Sequence, residues 1–220
     1  VVAILRVMSP TSAPSVALTF DDGPGPYTAG LLDTLDAHGA RATFFDVGEM
    51  VAARPELARR QAGAGHEIGN HSWSHPRLTG LSERRLREEI DRTCAVIEQT
   101  TGSAPGLLRP PFGDHDERVR RAAGMPLIMW SVDPEDWRIK DTGHVTRAVL
   151  DAVRPGDVVL MHDIQPTTVA AVPEILQVLS GRGYRFVTVS ELYRELQDEK
   201  PLRPGTAYDR PGGAPAGRAG

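Results

Sequence analysis

The chain has 220 residues, 40% of them hydrophobic and 25% charged, with a formal net charge of -4. That length supports one α/β domain of useful core size, and the mild acidity gives no whole-chain attraction to nucleic acid or to an anionic membrane. A single cysteine, Cys94, excludes an intramolecular disulfide, and no apolar run reaches the roughly 20 residues that a membrane-spanning helix needs.

The first five residues, Val1 to Leu5, are apolar and the run breaks at Arg6. Residues 1–15 read as the remnant of a clipped export signal or anchor, or as an extra strand. The run Val16–Phe20 is a compact strand pattern that leads straight into Asp21-Asp22-Gly23-Pro24. Tyr27–His38 follows with Leu31, Leu32 and Leu35 on one helical face, and Gly39 ends it. A strand at Ala42–Phe45 precedes a helix at Pro55–Ala64, whose proline suits a first turn. A short strand at Glu67–Gly69 comes just before His71 and His75. Ser82 is the expected N-cap of the longest amphipathic helix, which carries Leu86, Ile90 and Ile97. Its charges, Arg84, Arg85 and Arg87 against Glu83, Glu88 and Glu89, read as a solvated face. Cys94 falls in the same helix as a buried, inert thiol.

Strands at Leu107–Arg109, Leu127–Val132, Asp157–Met161 and Arg185–Val189 then alternate with helices at Glu117–Ala123, Val145–Val153 and Thr167–Leu179. Ser190 is placed as the cap of a last helix through Leu196. Seven strands alternating with helices predict an α/β fold with a parallel sheet. A closed or nearly closed (β/α) barrel suits that number, and an open doubly wound sheet fits almost as well. From Glu199 onward Pro, Gly, Ala and Arg replace periodic apolar residues, so residues 199–220 are expected to be a disordered tail. One domain over 16–198 remains, with no internal repeat.

Carboxylates and imidazoles at the ends of buried strands are costly to desolvate unless they are paired or bind a metal. Their recurrence at several strand ends is how parallel α/β enzymes assemble a site. His71 and His75, at i and i+4, could share one face of a helical turn, or lie in a surface loop, since Pro76 follows. The segment lacks the Glu of H-E-x-x-H, so a catalytic base must come from elsewhere. Asp21 and Asp22 are adjacent, and at the end of an extended segment their side chains diverge. One could bind metal while the other faces water, and an Asx-type turn closed by Gly23-Pro24 is compatible with both. Arg109 precedes two prolines that hold its backbone extended. His162 ends an apolar strand, where a lone histidine is either a satisfied core residue or a catalyst.

Five segments, in order, resemble the polysaccharide deacetylases, metal-dependent carbohydrate esterases that share a NodB-like homology domain. They are Thr19-Phe20-Asp21-Asp22-Gly23-Pro24, His71-Ser72-Trp73-Ser74-His75, Arg109-Pro110-Pro111-Phe112-Gly113, Asp133-Pro134-Glu135-Asp136-Trp137 and Leu160-Met161-His162-Asp163. The resemblance spans about residues 16 to 193 and implies a distorted, NodB-like (β/α) barrel with its site at the C-terminal strand ends. It implies Asp22, His71 and His75 as ligands of one divalent metal, with zinc first on ligand type and cobalt or nickel suited to the same set. It assigns Asp21 as general base, Arg109 as the cation that orients it, and His162 as general acid held by Asp136. The Phe112 N–H is the implied oxyanion donor, with Trp137, Leu160 and Pro111 as substrate-binding walls. Phe112 stands where the family usually has Tyr, and Asp116 where many relatives have Asn, which would bear on substrate preference or pH profile. Asp133 is taken as structural, Asp163 as a strand-end residue of unassigned role, and Asp46 as a minor groove candidate. His38, His66, His115 and His144 fall outside the matched positions, with His115 nearest the groove. The implied substrate is an acetylated glycan, with peptidoglycan or chitin-type N-acetylglucosamine preferred over O-acetylated xylan. A monomer acting outside the cell or in its envelope is expected. A catalytically silent glycan-binding module is the alternative from another class, and it would usually lack one of these residues.

Overall fold

The structure is a computed structural model that describes residues 13–196 and 202–208. The apolar run at the start of the N-terminal segment and the rest of the tail lie outside the described residues.

Strand β1 (Ser15–Asp21) is buried along its whole length, because parallel strands flank it on both sides. β2 (Thr43–Asp46) pairs with it at Thr19, Phe20 and Asp21, and β3 (Glu67–Asn70) extends the sheet beyond β2. On the other side lies β5 (Val158–His162), in a register that sets Ala17 beside Val158, Thr19 beside Leu160 and Asp21 beside His162. Single parallel bridges, Asn70–Leu108, Leu108–Leu127 and Val132–Val159, then carry the sheet from β3 round to β5. The ring therefore closes as a distorted barrel, which removes the open doubly wound alternative.

The distortion has local causes. Strands expected at Leu107–Arg109 and Leu127–Val132 shrink to a bridge at Leu108 and to β4 (Leu127–Ile128). Pro110, Pro111 and Pro126 lie at their ends and supply no N–H to a ladder. The run at Arg185–Val189 contributes only β6 (Arg185–Phe186), which pairs with Ser15 and Val16, while Arg41 N–H donates to Phe186 O at 3.4 Å. β6 is thus wedged between the starts of β1 and β2.

Side-chain alternation along β1 divides the core. Val16, Leu18 and Phe20 join Phe44, Val159 and Met161 in the layer beneath α1 (Thr28–Ala37), α6 (Thr142–Ala152) and α7 (Pro166–Gly181). Ala17 faces the barrel interior with Phe45, Leu107, Ile128 and Val158. By the same alternation Thr19 and Asp21 on β1, and Leu160 and His162 on β5, point inward. The helices α2 (Gly48–Ala53), α3 (Pro55–Gly63), α4 (Glu83–Thr101) and α5 (Glu117–Ala123) complete the coat around β3.

Of the two readings open for His71–His75, the loop holds and the helical turn does not, because Pro76 forbids continuation and Ser72 and His75 adopt left-handed φ of 65° and 59°. Two expectations are corrected. Helix α8 (Val189–Leu196) starts one residue before the expected cap. Thr188 Oγ1 accepts from Glu191 N, and the Glu191 carboxylate accepts from Thr188 N, a reciprocal capping box. Residues 202–208, inside the expected tail, form a turn and strand β7 (Ala207–Tyr208) paired with β4. Ala207 is buried and the Tyr208 ring packs edge-on against Tyr193. These apolar contacts, with the Leu127 and Met129 N–H groups donating to Thr206 O and Tyr208 O, dock a segment whose composition hides it.

Candidate active site

The barrel register delivers Asp21 and His162 side by side at the C-terminal ends of β1 and β5. Beyond them the chain opens a cavity of about 410 Å³, lined by Asp21, Asp22, His71, His75 and His162 among others.

Arg109 is fully buried beneath Asp21. Its guanidinium donates to Asp21 Oδ1 at 2.7 Å, Thr19 Oγ1 at 2.7 Å, Ile128 O at 3.0 Å and Met129 O at 2.9 Å. A guanidinium so satisfied is a rigid fork, and it fixes the Asp21 carboxylate in one orientation. Thr19 and the two carbonyls complete this arrangement. Sequence reasoning did not single out Thr19, although its inward alternation with Asp21 was the available signal.

Asp22 has a left-handed φ of 72°, which turns its carboxylate toward the two histidines. Its Oδ1 lies 3.5 Å from His71 Nε2 and 3.3 Å from His75 Nε2. That oxygen is buried without a hydrogen-bond partner among the described residues, a costly state for a carboxylate unless a cation occupies the junction. His71 Nδ1–H donates to Arg109 O at 2.7 Å, which leaves the Nε2 lone pair facing Asp22. Burial would raise the Asp22 pKa, but the neighbouring imidazoles, His71 foremost and then His162 and His75, outweigh it and hold it at about 2. The ligand atoms of Asp22, His71 and His75 all fall within 4.8 Å of one another. Two imidazoles and an ionised carboxylate in this arrangement fit a divalent cation.

His162 is held from behind. Its Nδ1 lies 2.8 Å from Asp136 Oδ1, and its backbone N–H donates to Asp136 Oδ2 at 2.8 Å. Asp136 is fully buried and also accepts from Thr168 Oγ1 at 2.7 Å, a partner that sequence reasoning missed. Burial would lower the His162 pKa, but the Asp136 hydrogen bond and charge, with Asp21 and Asp22 beyond, raise it to about 9. These partners favour the doubly protonated ring.

Trp130, Trp137 and Leu160 supply apolar wall, and Phe112 lies at the rim with a left-handed φ of 60°. Its ring packs edge-on to His75, with centroids 4.7 Å apart, and the Arg77 guanidinium stands 4.5 Å from its centroid. Pro111 is buried and does not line the cavity; Pro110 takes that place. Arg77, Trp130 and Asp133 line it as well, although the sequence had marked Asp133 as structural and the other two not at all. Asp116 is absent from the lining. It is the N-cap of α5, where Oδ1 accepts from Val119 N at 2.9 Å, so its departure from Asn is a helix-cap matter.

A second layer lies beneath. Asp163 is fully buried against Gly23, where a Cβ would stand 2.4 Å from Asp163 Oδ2. Only glycine lets the turn that carries Asp22 approach so closely. Burial, with the charges of Asp22 and Asp21, lifts the Asp163 pKa to about 7 despite a hydrogen bond from Thr28. Asp46 is also fully buried on the same side, next to Gln61, and burial pushes its pKa well up. Neither residue lines the cavity.

The family model for polysaccharide deacetylase matches residues 8–125. The chain is 45% identical over 181 residues to the peptidoglycan-N-acetylglucosamine deacetylase PgdA of Listeria monocytogenes, covering 82% of this chain and 39% of that protein. It thus spans about two fifths of the length of that relative. The structure superposes on peptidoglycan deacetylase PdaC from Bacillus subtilis with a TM-score of 0.82 at 39% identity, covering 86% of this chain and 97% of the other. A family 4 acetyl xylan esterase from Clostridium thermocellum, solved with a cobalt ion, gives a TM-score of 0.83 at 35% identity, covering 89% and 98%. With the five segments gathered at one barrel mouth and the family model matched over more than half its length, this chain belongs to the polysaccharide deacetylase family.

Proposed function

We propose that this chain removes acetyl groups from N-acetylated amino sugars of cell-wall glycan, releasing acetate. The observation that carries the reading is the buried Asp22 Oδ1, without a hydrogen-bond partner among the described residues, between His71 and His75, with Asp21 and His162 facing the same cavity. Asp22, His71 and His75 would hold a divalent cation, zinc by ligand type and cobalt or nickel by the same donors; the chemistry it supplies is Lewis-acid polarisation of the acetyl carbonyl and of water.

The remaining steps belong to side chains of this chain. Trp137 and Leu160 seat the acetyl methyl group. Asp21, oriented by Arg109, takes a proton from the water whose oxygen bonds to the acetyl carbon. The carbonyl oxygen becomes an oxyanion and is met by the Phe112 N–H, for which no described residue provides an acceptor. When the carbon–nitrogen bond breaks, His162 gives the proton on its Nε2 to the departing nitrogen, because Asp136 engages its Nδ1. The products are acetate and the free amine.

The relative named peptidoglycan-N-acetylglucosamine deacetylase favours an amide over an ester, and an amine leaves poorly unless protonated, which is the step His162 serves. The relatives named for peptidoglycan support cell-wall glycan as substrate and the cell envelope as the place of action. The test is acetate release from N-acetylglucosamine oligomers and from peptidoglycan by metal-stripped protein, before and after zinc is returned. Zinc-restored acetate is expected; silence of the zinc-loaded protein on both glycans, with glycan still bound, would replace the enzyme with a binding module.

A further inference from the structure

Glu89 belongs to a charge-alternating stretch of α4 that reads as a solvated face, yet its carboxylate is spent on the loop between the two histidines. Glu89 Oε2 accepts from Trp73 N at 2.9 Å and from Ser74 N at 2.8 Å, and Oε1 accepts from Ser74 Oγ at 2.8 Å. The N–H on either side is taken by a side chain too. Ser72 N donates to Asn70 Oδ1 at 2.8 Å, and His75 N donates to Ser72 Oγ at 3.1 Å. All four N–H groups of Ser72–His75 are therefore satisfied without regular secondary structure.

The carbonyl side is held by α2, whose first N–H groups, Gly48 and Glu49, donate to Ser72 O at 3.0 Å and Trp73 O at 3.1 Å. Gly48 must be glycine here, since a Cβ would meet the Trp73 ring at 2.5 Å. From α4, the Arg92 guanidinium covers that ring at 3.8 Å. The two candidate ligands depend on this cradle unequally. His71 is fixed by its own bonds, N–H to Asp46 O at 3.0 Å and Nδ1–H to Arg109 O at 2.7 Å. Among the described residues no hydrogen bond holds His75 Nδ1, so its ring is placed by its backbone and by the edge-on contact with the Phe112 ring. That backbone has a φ of 59°, a left-handed conformation that a β-carbon residue keeps only when its surroundings impose it.

We propose that Glu89 is a positioning residue for the cation site: by capping the Trp73 and Ser74 N–H groups it holds the loop that aims His75 at Asp22. The role is one of geometry rather than charge. Glutamine, which keeps an accepting oxygen of the same reach, should replace it, while alanine and the shorter aspartate should not.

The test is zinc affinity of metal-stripped protein, by competition with a chelator of known affinity, for wild type and for Glu89→Ala, Glu89→Asp, Glu89→Gln and Glu88→Ala. Loss of a group that orients a metal ligand costs about 10–100-fold in metal affinity, and that loss is expected for the alanine and aspartate variants. The glutamine variant should stay within about threefold of wild type, since the amide oxygen accepts as the carboxylate does. Glu88 pairs with Arg84 and Arg85 on the outer face, so its removal should change nothing. Should Glu89→Ala fail to fold, the aspartate and glutamine variants carry the same contrast. Wild-type affinity in Glu89→Asp, or a glutamine variant as weak as it, overturns the proposal. Failure of the wild-type chain to bind zinc defeats the cation site itself, and this inference with it.

Discussion

Arg109 shows how a single side chain can join stability to function. A fully buried guanidinium survives because four oxygens surround it, and one of them is the carboxylate proposed as base. Truncating one partner of such a pair leaves the other charge buried and unpaired. Arg109→Ala should therefore cost about 3–5 kcal/mol of stability, measurable by denaturant unfolding; a loss below 1 kcal/mol would mean that Asp21 finds another partner. The His162–Asp136 pair makes a sharper prediction. In metal-free protein the His162 ring should titrate near pH 9 by NMR. Since the raised value means that the folded state holds this proton, Asp136→Asn should bring the transition back toward the ordinary ~6.5. An unchanged titration would show that Asp136 does not set the acid. Both pairs were legible in the sequence as residue types. Their geometry was not, because two of the four Arg109 acceptors are main-chain carbonyls and Thr168 comes from a helix 32 residues beyond Asp136.

Among the elements, strand register does the assembling. The β1–β5 pairing sets Asp21 beside His162, and a one-residue slip of either strand would send its own residue to the outer layer. The period of two and the apolar runs were readable in the chain, so the strands at its centre were as well. Short elements bordered by proline were overestimated, because propensity counts residues but not missing N–H groups. Ser72 and His75 depart from helical spacing for the same kind of reason, with Pro76 beyond them. The capping box at Thr188-Val189-Ser190-Glu191 carried its S/T-x-x-E signal openly, with its cap two residues before the serine taken instead. Asp116, as the cap of α5, gives a test at this scale. Asp116→Asn should leave both stability and the pH profile of turnover unchanged, whereas Asp116→Ala should lose about 1 kcal/mol. A shifted pH profile in the asparagine variant would place Asp116 in the reaction after all.

At the scale of the molecule, barrel closure relies on thin joints at Leu108, β4 and Val132. β7 covers one of them, with Ala207 against Leu127 and Tyr208 against Tyr193. Composition concealed this dock, since a two-residue strand among Pro and Gly has no periodicity to read. Deleting residues 199–220 should accordingly lower stability by about 1–3 kcal/mol through uncovered apolar surface, seen as a reduced Tm; an unchanged Tm would mean that β7 contributes nothing. The barrel brings Asp22, His71 and His75, and Asp21 with His162, to one mouth, and the two functions proposed for them separate at adjacent residues. The decisive measurement is zinc content and acetate release, taken together, for Asp21→Asn and Asp22→Ala. Asp21→Asn should keep its zinc while turnover falls by about 10²–10⁴-fold, the usual worth of a general base, and Asp22→Ala should lose the zinc and the turnover alike. Loss of zinc from Asp21→Asn, or full zinc and full turnover in Asp22→Ala, would contradict the account.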